Sequence, residues 1–354
     1  MSIGKPLPHD AAPLQVTGQA RYVDDIPLPA GALHLAFGLS TCAHGEISAM
    51  DLSEVRAAPG VVAVFSAENL PDMPDCSPSA HDEPLLATGT VHYIGQPVFL
   101  VVADSHLAAR RAARLGRITY APRPAILTVD DALAANSRFE SGPVTWAKGD
   151  PTSAIANAPQ VIEGSFEVGG QEHFYLEGQI AAALPQEGGD MVIHSSTQHP
   201  TEIQHKVAHA LHLPMNAVRV EVRRMGGGFG GKESQGNALA VACAVAAHAT
   251  GKPCKMRYDR DDDMVITGKR HRVLAYGAPP SNRIECFLPR TEGAPGEAVR
   301  GAARRGAPIF AFLHGGWWQD LSIEYAAAPA VALTDAGAIY ASIGYTLAPA
   351  VGLR

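Results

Sequence analysis

The chain has 354 residues, 46% hydrophobic and 18% charged, with a formal net charge of -7. That length accommodates roughly two or three domains, and the apolar content excludes global disorder. The interspersed, slightly acidic charge gives no electrostatic reason to expect nucleic acid as a partner.

The opening "MSIGKPLPHDAAPLQ" lacks the apolar stretch of a secretory signal, and no later run is apolar for the length of a bilayer. The expectation is a cytoplasmic chain with no membrane partner. Mixed α and β signals then run to about residue 125. "LHLAFGLS" (33–40), "VVAVFSA" (61–67) and "YIGQPVFLVVAD" (93–104) predict strands, and "SHLAARRAARLG" (105–116) predicts a helix. The Pro/Asp/Ser-rich 68–84 reads as a long loop.

A second segment carries predicted strands at 160–168, 191–197 and 217–224, a helix over 201–213, and an apolar helix after a glycine cluster. A strand-rich stretch is expected over 252–271. In the 201–213 helix His205, His209 and His212 recur at i, i+4 and i+7, opposite Ile203 and Val207, which suits a solvated face better than a metal site. The acid run Asp259–Asp263 suits turn chemistry. Beyond residue 273 a Gly/Ala/Pro/Arg-rich stretch leads into a buried-strand pattern, "PIFAFL", followed by His-Gly-Gly. Cys42, Cys76, Cys243, Cys254 and Cys286 form no C-x-x-C pair, so neither zinc nor an iron–sulfur cluster is expected on this chain, and reduced thiols are.

The glycine cluster "MGGGFGGKE" (225–233) comes within one residue of a phosphate loop, but Glu233 stands where a Ser or Thr hydroxyl should meet Mg²⁺. A carboxylate there would sit against phosphate. Gly226, Gly228 and Gly231 also satisfy G-x-G-x-x-G, yet no acid lies about twenty residues on to hold a ribose, since Asp259 is the first after Glu233. A plain turn explains one or two glycines. Five among six residues carry a large conformational-entropy cost, which points to close backbone approach to a ligand with oxygen anions.

Several motifs together carry a resemblance. "MGGGFGGKE", with "GGQEHFYLEGQ" (169–179) and "SSTQ" (195–198) before it and "DRDDDMVITGKRH" (259–271) after, resembles the molybdenum-binding subunit of the xanthine dehydrogenase family. "VTGQARYVDDIP" (16–27), "AHGEI" (43–47) and "YIGQPV" (93–98) resemble that subunit's α/β hammerhead domain. The resemblance spans about residues 6–272. It implies an α+β fold: a hammerhead domain over 1–128, then an incomplete molybdopterin-binding domain over 129–272.

By the same resemblance, Gln198 would approach a molybdenum centre and hydrogen-bond its oxo ligand. Gly227, Gly228, Phe229 and Gly230 would line molybdopterin, with molybdenum near Gln198 and Phe229 but bound directly by neither. Glu233 would bind a purine. Gln171 and Glu172 match family positions with either packing or chemistry as their role. The implied reaction hydroxylates a purine (hypoxanthine or xanthine, to urate) with water as oxygen source, passing electrons to iron–sulfur centres and FAD on a partner subunit. The family's general-base glutamate and a substrate-binding arginine have no counterpart here, so no complete catalytic set is expected and the rate should suffer.

The final stretch, 273–354, resembles the start of an α/β-hydrolase of the kynurenine formamidase-like kind. His-Gly-Gly there would supply oxyanion-hole N–H groups from Gly315 and Gly316. No G-x-S-x-G elbow occurs in the chain. The expectation is therefore a fusion of two incomplete parts, with hydrolysis or a non-catalytic role as alternatives to the oxidoreductase reading, and with Trp317 and Trp318 exposed where the rest of the hydrolase sheet is lacking.

Overall fold

The computed structural model describes residues 6–70, 72–138, 149–159 and 172–267, and the backbone of three strands at 284–287, 309–313 and 339–343. The chain divides into two compact units, one from Met1–Ser137 and Val168–His271, the other from Arg138–Glu167 and Arg272–Arg354. The predicted strand at 160–168, Gln171, the His-Gly-Gly with Gly315 and Gly316, Trp317 and Trp318 lie outside the described residues.

In the first unit the strands are β1 (Leu33–Leu39), β2 (Gly45–Asp51), β3 (Val61–Ser66), β4 (Thr90–Val91), β5 (Pro97–Ala103) and β6 (Arg117–Pro122). They continue as β7 (Ile180–Pro185), β8 (Met191–Ser195), β9 (Val218–Glu221) and β10 (Cys254–Arg257). Seven of them make one mixed sheet in the order β3-β5-β1-β10-β7-β8-β9, and β4-β2-β6 make a second. Every residue of β5, "PVFLVVA", is buried, as an unbroken apolar run predicts for a strand covered on both faces. The small sheet gives no such signal, because β2 and β6 are largely exposed and owe their place to each other's register.

The sheet is continuous across the sequence. Parallel pairing of Leu33, His34 and Leu35 with Cys254, Lys255 and Met256 joins β1 to β10. β10 then pairs antiparallel with β7. Onto this sheet packs the helix Gly236–Thr250, an Ala/Val-rich segment apolar nearly all round and accordingly buried along most of its length. Gly251 ends it in the left-handed conformation at φ 67°. The helix Pro200–Ala210 buries Ile203 and Val207 and leaves His205, His209 and His212 exposed beside it or just beyond its end.

One expectation is corrected. The described part of 252–271, up to residue 267, is not strand-rich: β10 ends at Arg257, and Arg260–Ile266 is a helix. Asp261, Asp262 and Asp263 occupy its first turn, where carboxylates complement the helix dipole. Among the described residues of the first unit, the 68–84 loop contains no helix or strand, only a bridge between Asp75 and Pro84.

In the second unit β11 (Ile284–Phe287), β12 (Ile309–Leu313) and β13 (Ile339–Ile343) pair in the order β11-β13-β12. β12 and β13 are parallel and β11 is antiparallel to β13.

Candidate functional site

The glycine loop joins β9 to the 236–250 helix, and its glycines are required in the first place by the protein itself. A Cβ on Gly226 would lie 2.5 Å from Glu177 Cβ, one on Gly228 2.7 Å from Gln198 Oε1, and one on Gly231 2.7 Å from both His173 Cγ and Tyr175 Cε1. Gly227 and Gly230 have φ of 94° and 86°, and Phe229 between them has 54°, in the left-handed region that is uncommon for residues other than glycine. The close approach inferred from sequence is therefore largely to internal side chains, with one exception. Among the described residues, no protein acceptor meets the N–H groups of Gly227, Gly228 and Phe229, which leaves three consecutive backbone donors for a ligand.

Gln198 sits against that loop. Its Oε1 accepts from the N–H groups of Gly230 (3.0 Å) and Lys232 (3.2 Å), and its backbone N–H donates to Lys232 O at 2.8 Å. The side-chain oxygen is thus committed and Nε2 is left as the donor. Phe229 is 69% exposed, and Leu176 (93%) and Phe174 (66%) share its apolar, solvent-facing character. Glu233 is half-buried, and among the described residues no hydrogen bond or ion pair engages its carboxylate. Gln198, Gly227, Gly228, Phe229 and Gly230 are therefore brought together, with Glu233 three residues before the helix.

Beneath the loop lies a polar network that sequence reasoning did not single out. Glu177 Oε2 accepts from Ser196 Oγ (2.6 Å), Gly226 N–H (2.8 Å) and Lys232 Nζ (3.3 Å). Lys232 is fully buried; its Nζ also donates to Ser196 Oγ at 2.7 Å and stands 4.7 Å from the centre of the Tyr175 ring. Burial pulls the Lys232 pKa down, and Glu177 opposes that pull. Tyr175 donates to Asp263 Oδ1 at 2.8 Å, and Gln179 Nε2 bridges Tyr175 Oη (2.9 Å) and Gly231 O (2.7 Å). Burial raises the Tyr175 phenol and the Asp263 carboxyl, both toward their neutral forms. A lysine in a glycine run reads as solvent-exposed; only a carboxylate 55 residues upstream in the chain makes its burial tolerable. Glu172 has no chemical role visible here, and its Oε1 only meets the Phe174 N–H at 3.5 Å.

The donor set fits an oxo-bearing, anionic organic cofactor: among the described residues, three consecutive backbone N–H groups and one amide N–H₂ meet no protein acceptor. No group of three or more His, Cys, Asp and Glu side chains that could hold a metal ion occurs among the described residues. Consecutive backbone donors of this kind can receive an anionic group. Residues 133–278 match the family described as molybdopterin cofactor-binding domain, and residues 17–124 match the aldehyde oxidase and xanthine dehydrogenase a/b hammerhead domain.

The chain is 44% identical over 274 residues to the xanthine dehydrogenase of Drosophila subobscura and 43% identical to the xanthine dehydrogenase/oxidase of Rattus norvegicus. Each alignment covers 77% of this chain and 20% of the relative. Among solved structures, quinoline 2-oxidoreductase of Pseudomonas putida 86 superposes with a TM-score of 0.69 at 26% identity, over 77% of this chain and 36% of that one. The aldehyde oxidoreductase of Desulfovibrio gigas gives 0.61 at 31% identity, over 74% and 31%. Residues 17–278 thus belong to the aldehyde oxidase and xanthine dehydrogenase family, with its α+β fold of hammerhead and molybdopterin-binding parts, and the chain spans about one-fifth of the length of the curated relatives it matches.

Proposed function

We propose that the first unit holds molybdenum–molybdopterin against the glycine loop and takes part in purine hydroxylation, with iron–sulfur and FAD centres on a partner subunit in a cytoplasmic, reducing setting. The observation that carries this reading is the meeting of donors that have no acceptor among the described residues, the N–H groups of Gly227, Gly228 and Phe229 on the loop and Nε2 of Gln198 against it, with Glu233 at the loop's end. Bound there, the cofactor would supply two-electron oxidation of a heterocyclic C–H with water as the oxygen source.

The chain's own residues would do the rest. Gln198 orients by donating from Nε2, since its Oε1 is fixed by Gly230 and Lys232. Phe229 presents an apolar ring that keeps water from the reacting face. Glu233 accepts hydrogen bonds from heterocycle N–H groups, which meets the desolvation cost of a half-buried carboxylate. The test is co-expression with an iron–sulfur/FAD subunit, followed by molybdenum analysis and purine-dependent dye reduction. Bound molybdenum with a purine-dependent rate that falls in Gln198→Ala supports the reading; a chain free of both molybdenum and pterin overturns it.

A second reading concerns the second unit. β12 ends at Leu313, directly before His314-Gly315-Gly316 in the sequence, and pairs in parallel with β13, the strand arrangement that α/β folds use. This supports an α/β-hydrolase-like segment, with Gly315 and Gly316 as oxyanion-hole donors. Aryl-ester hydrolysis that falls on Gly316→Val would favour a hydrolytic role; a rate equal to buffer would dispose of it.

A further inference from the structure

We infer that the buried Lys232–Glu177 pair is a positioning device that holds the glycine loop and Gln198 in the arrangement that receives the cofactor; the inference rests on the molybdopterin reading above. A single carboxylate oxygen, Glu177 Oε2, gathers three donors from two segments, Gly226 and Lys232 at the start and end of the loop and Ser196 two residues before Gln198, and so ties both to its own segment. Lys232 closes the circuit. Its Nζ donates to Ser196 Oγ, its backbone N–H donates to Gln198 Oε1, and its carbonyl accepts from Gln198 N–H and Thr197 Oγ1. The loop is thereby pinned at both ends to the strand end that carries Gln198.

Stability alone does not account for such a pair. A buried ion pair generally contributes no more than apolar residues of the same volume would. What apolar residues lack is the capacity to bind three chain segments directionally at once. Among the described residues, neither Lys232 nor Glu177 is hydrogen-bonded or ion-paired to the Glu233 carboxylate, and their polar contacts run to Gln198, Ser196 and the loop backbone.

The test uses the full chain with Lys232→Met, Glu177→Gln and the double variant. In cofactor-free protein, amide hydrogen exchange at Gly226, Gly230 and Lys232 should rise about tenfold or more, as expected for lost charge-assisted hydrogen bonds. Exchange in β7 and in the 236–250 helix should stay as in the wild type. In the double variant the melting temperature should recover, because neither charge is left buried alone, while loop exchange stays raised. Should Lys232→Met alone not fold, the double variant carries the test. Molybdopterin per chain, assayed as its fluorescent oxidation product after expression in a host that makes it, should fall about tenfold in each folded variant, in step with the loosened loop. A uniform rise in exchange across the unit, loop exchange that returns with the melting temperature, or molybdopterin retained by a loosened loop would overturn the inference. A wild-type chain without molybdopterin sinks the cofactor reading instead, and the exchange pattern still decides whether the pair pins the loop.

Discussion

Alanine at Gly231 puts one methyl group into the tightest point of the site. Its Cβ would stand 2.7 Å from His173 Cγ and 2.7 Å from Tyr175 Cε1, well inside contact distance. The Tyr175 ring cannot simply retreat. It is 1% exposed, its hydroxyl is bonded to Asp263 and Gln179, and Gln179 is bonded in turn to the Gly231 carbonyl. Overpacking of this kind costs about 1–3 kcal/mol. Releasing the buried Tyr175–Asp263 hydrogen bond adds about 1–3 kcal/mol, so a total of about 4 kcal/mol is expected. For a unit of this size that corresponds to roughly 8–16 °C in melting temperature.

Gly251→Ala is the control. Its φ of 67° strains an alanine backbone, but nothing lies within 4 Å of the new Cβ, so about 1 kcal/mol is expected. Thermal unfolding followed by far-UV circular dichroism compares the two. A Gly231→Ala variant no less stable than Gly251→Ala would refute the reasoning that the loop is packed against Tyr175.

Three further outcomes follow from the same structure. Glu233→Gln should change stability by less than about 0.5 kcal/mol, since no described group engages the carboxylate, yet it should weaken purine-dependent turnover measured by dye reduction. Burial tends to raise the Asp75 carboxyl, but hydrogen bonds from Ser77, Lys206 and His81 outweigh that and hold it well below the usual range. A carboxylate depressed in the folded state stabilises fully above its unfolded pKa of about 3.9, and that contribution is lost as pH falls through the lowered folded value. Asp75→Asn should therefore flatten the decline in melting temperature below about pH 4; an unchanged slope would count against the clamp of Asp75 on Lys206. Finally, the Cys243 thiol is buried and pushed well above its ordinary pKa, so it should resist a thiol-labelling reagent in native protein and react only on unfolding, as mass mapping can check.

Much of this was legible in the residues. Apolar runs marked β1, β3, β5 and β8, and the 3.6-residue period marked the 200–210 helix together with its exposed histidines. The β2–β6 pair was illegible because its strands are half exposed and stabilised by each other rather than by a local pattern. The 260–266 helix was misjudged because its acids resemble turn chemistry, whereas their position in a first turn complements the helix dipole. The glycines and Glu233 stood out as unusual residue types in fixed spacing, whereas Gln198 was singled out only through the family resemblance.

What the sequence by itself determined was a glycine-rich loop with a carboxylate where Mg-nucleotide chemistry needs a hydroxyl, and hence the expectation of a ligand other than a Mg-nucleotide. Only the tertiary structure decided why those glycines are there and what holds them. Gly226, Gly228 and Gly231 are shaped by Glu177, Gln198 and Tyr175, and Lys232 is buried on Glu177. Those contacts bridge tens of residues, and packing at such separation leaves no periodic trace in the chain.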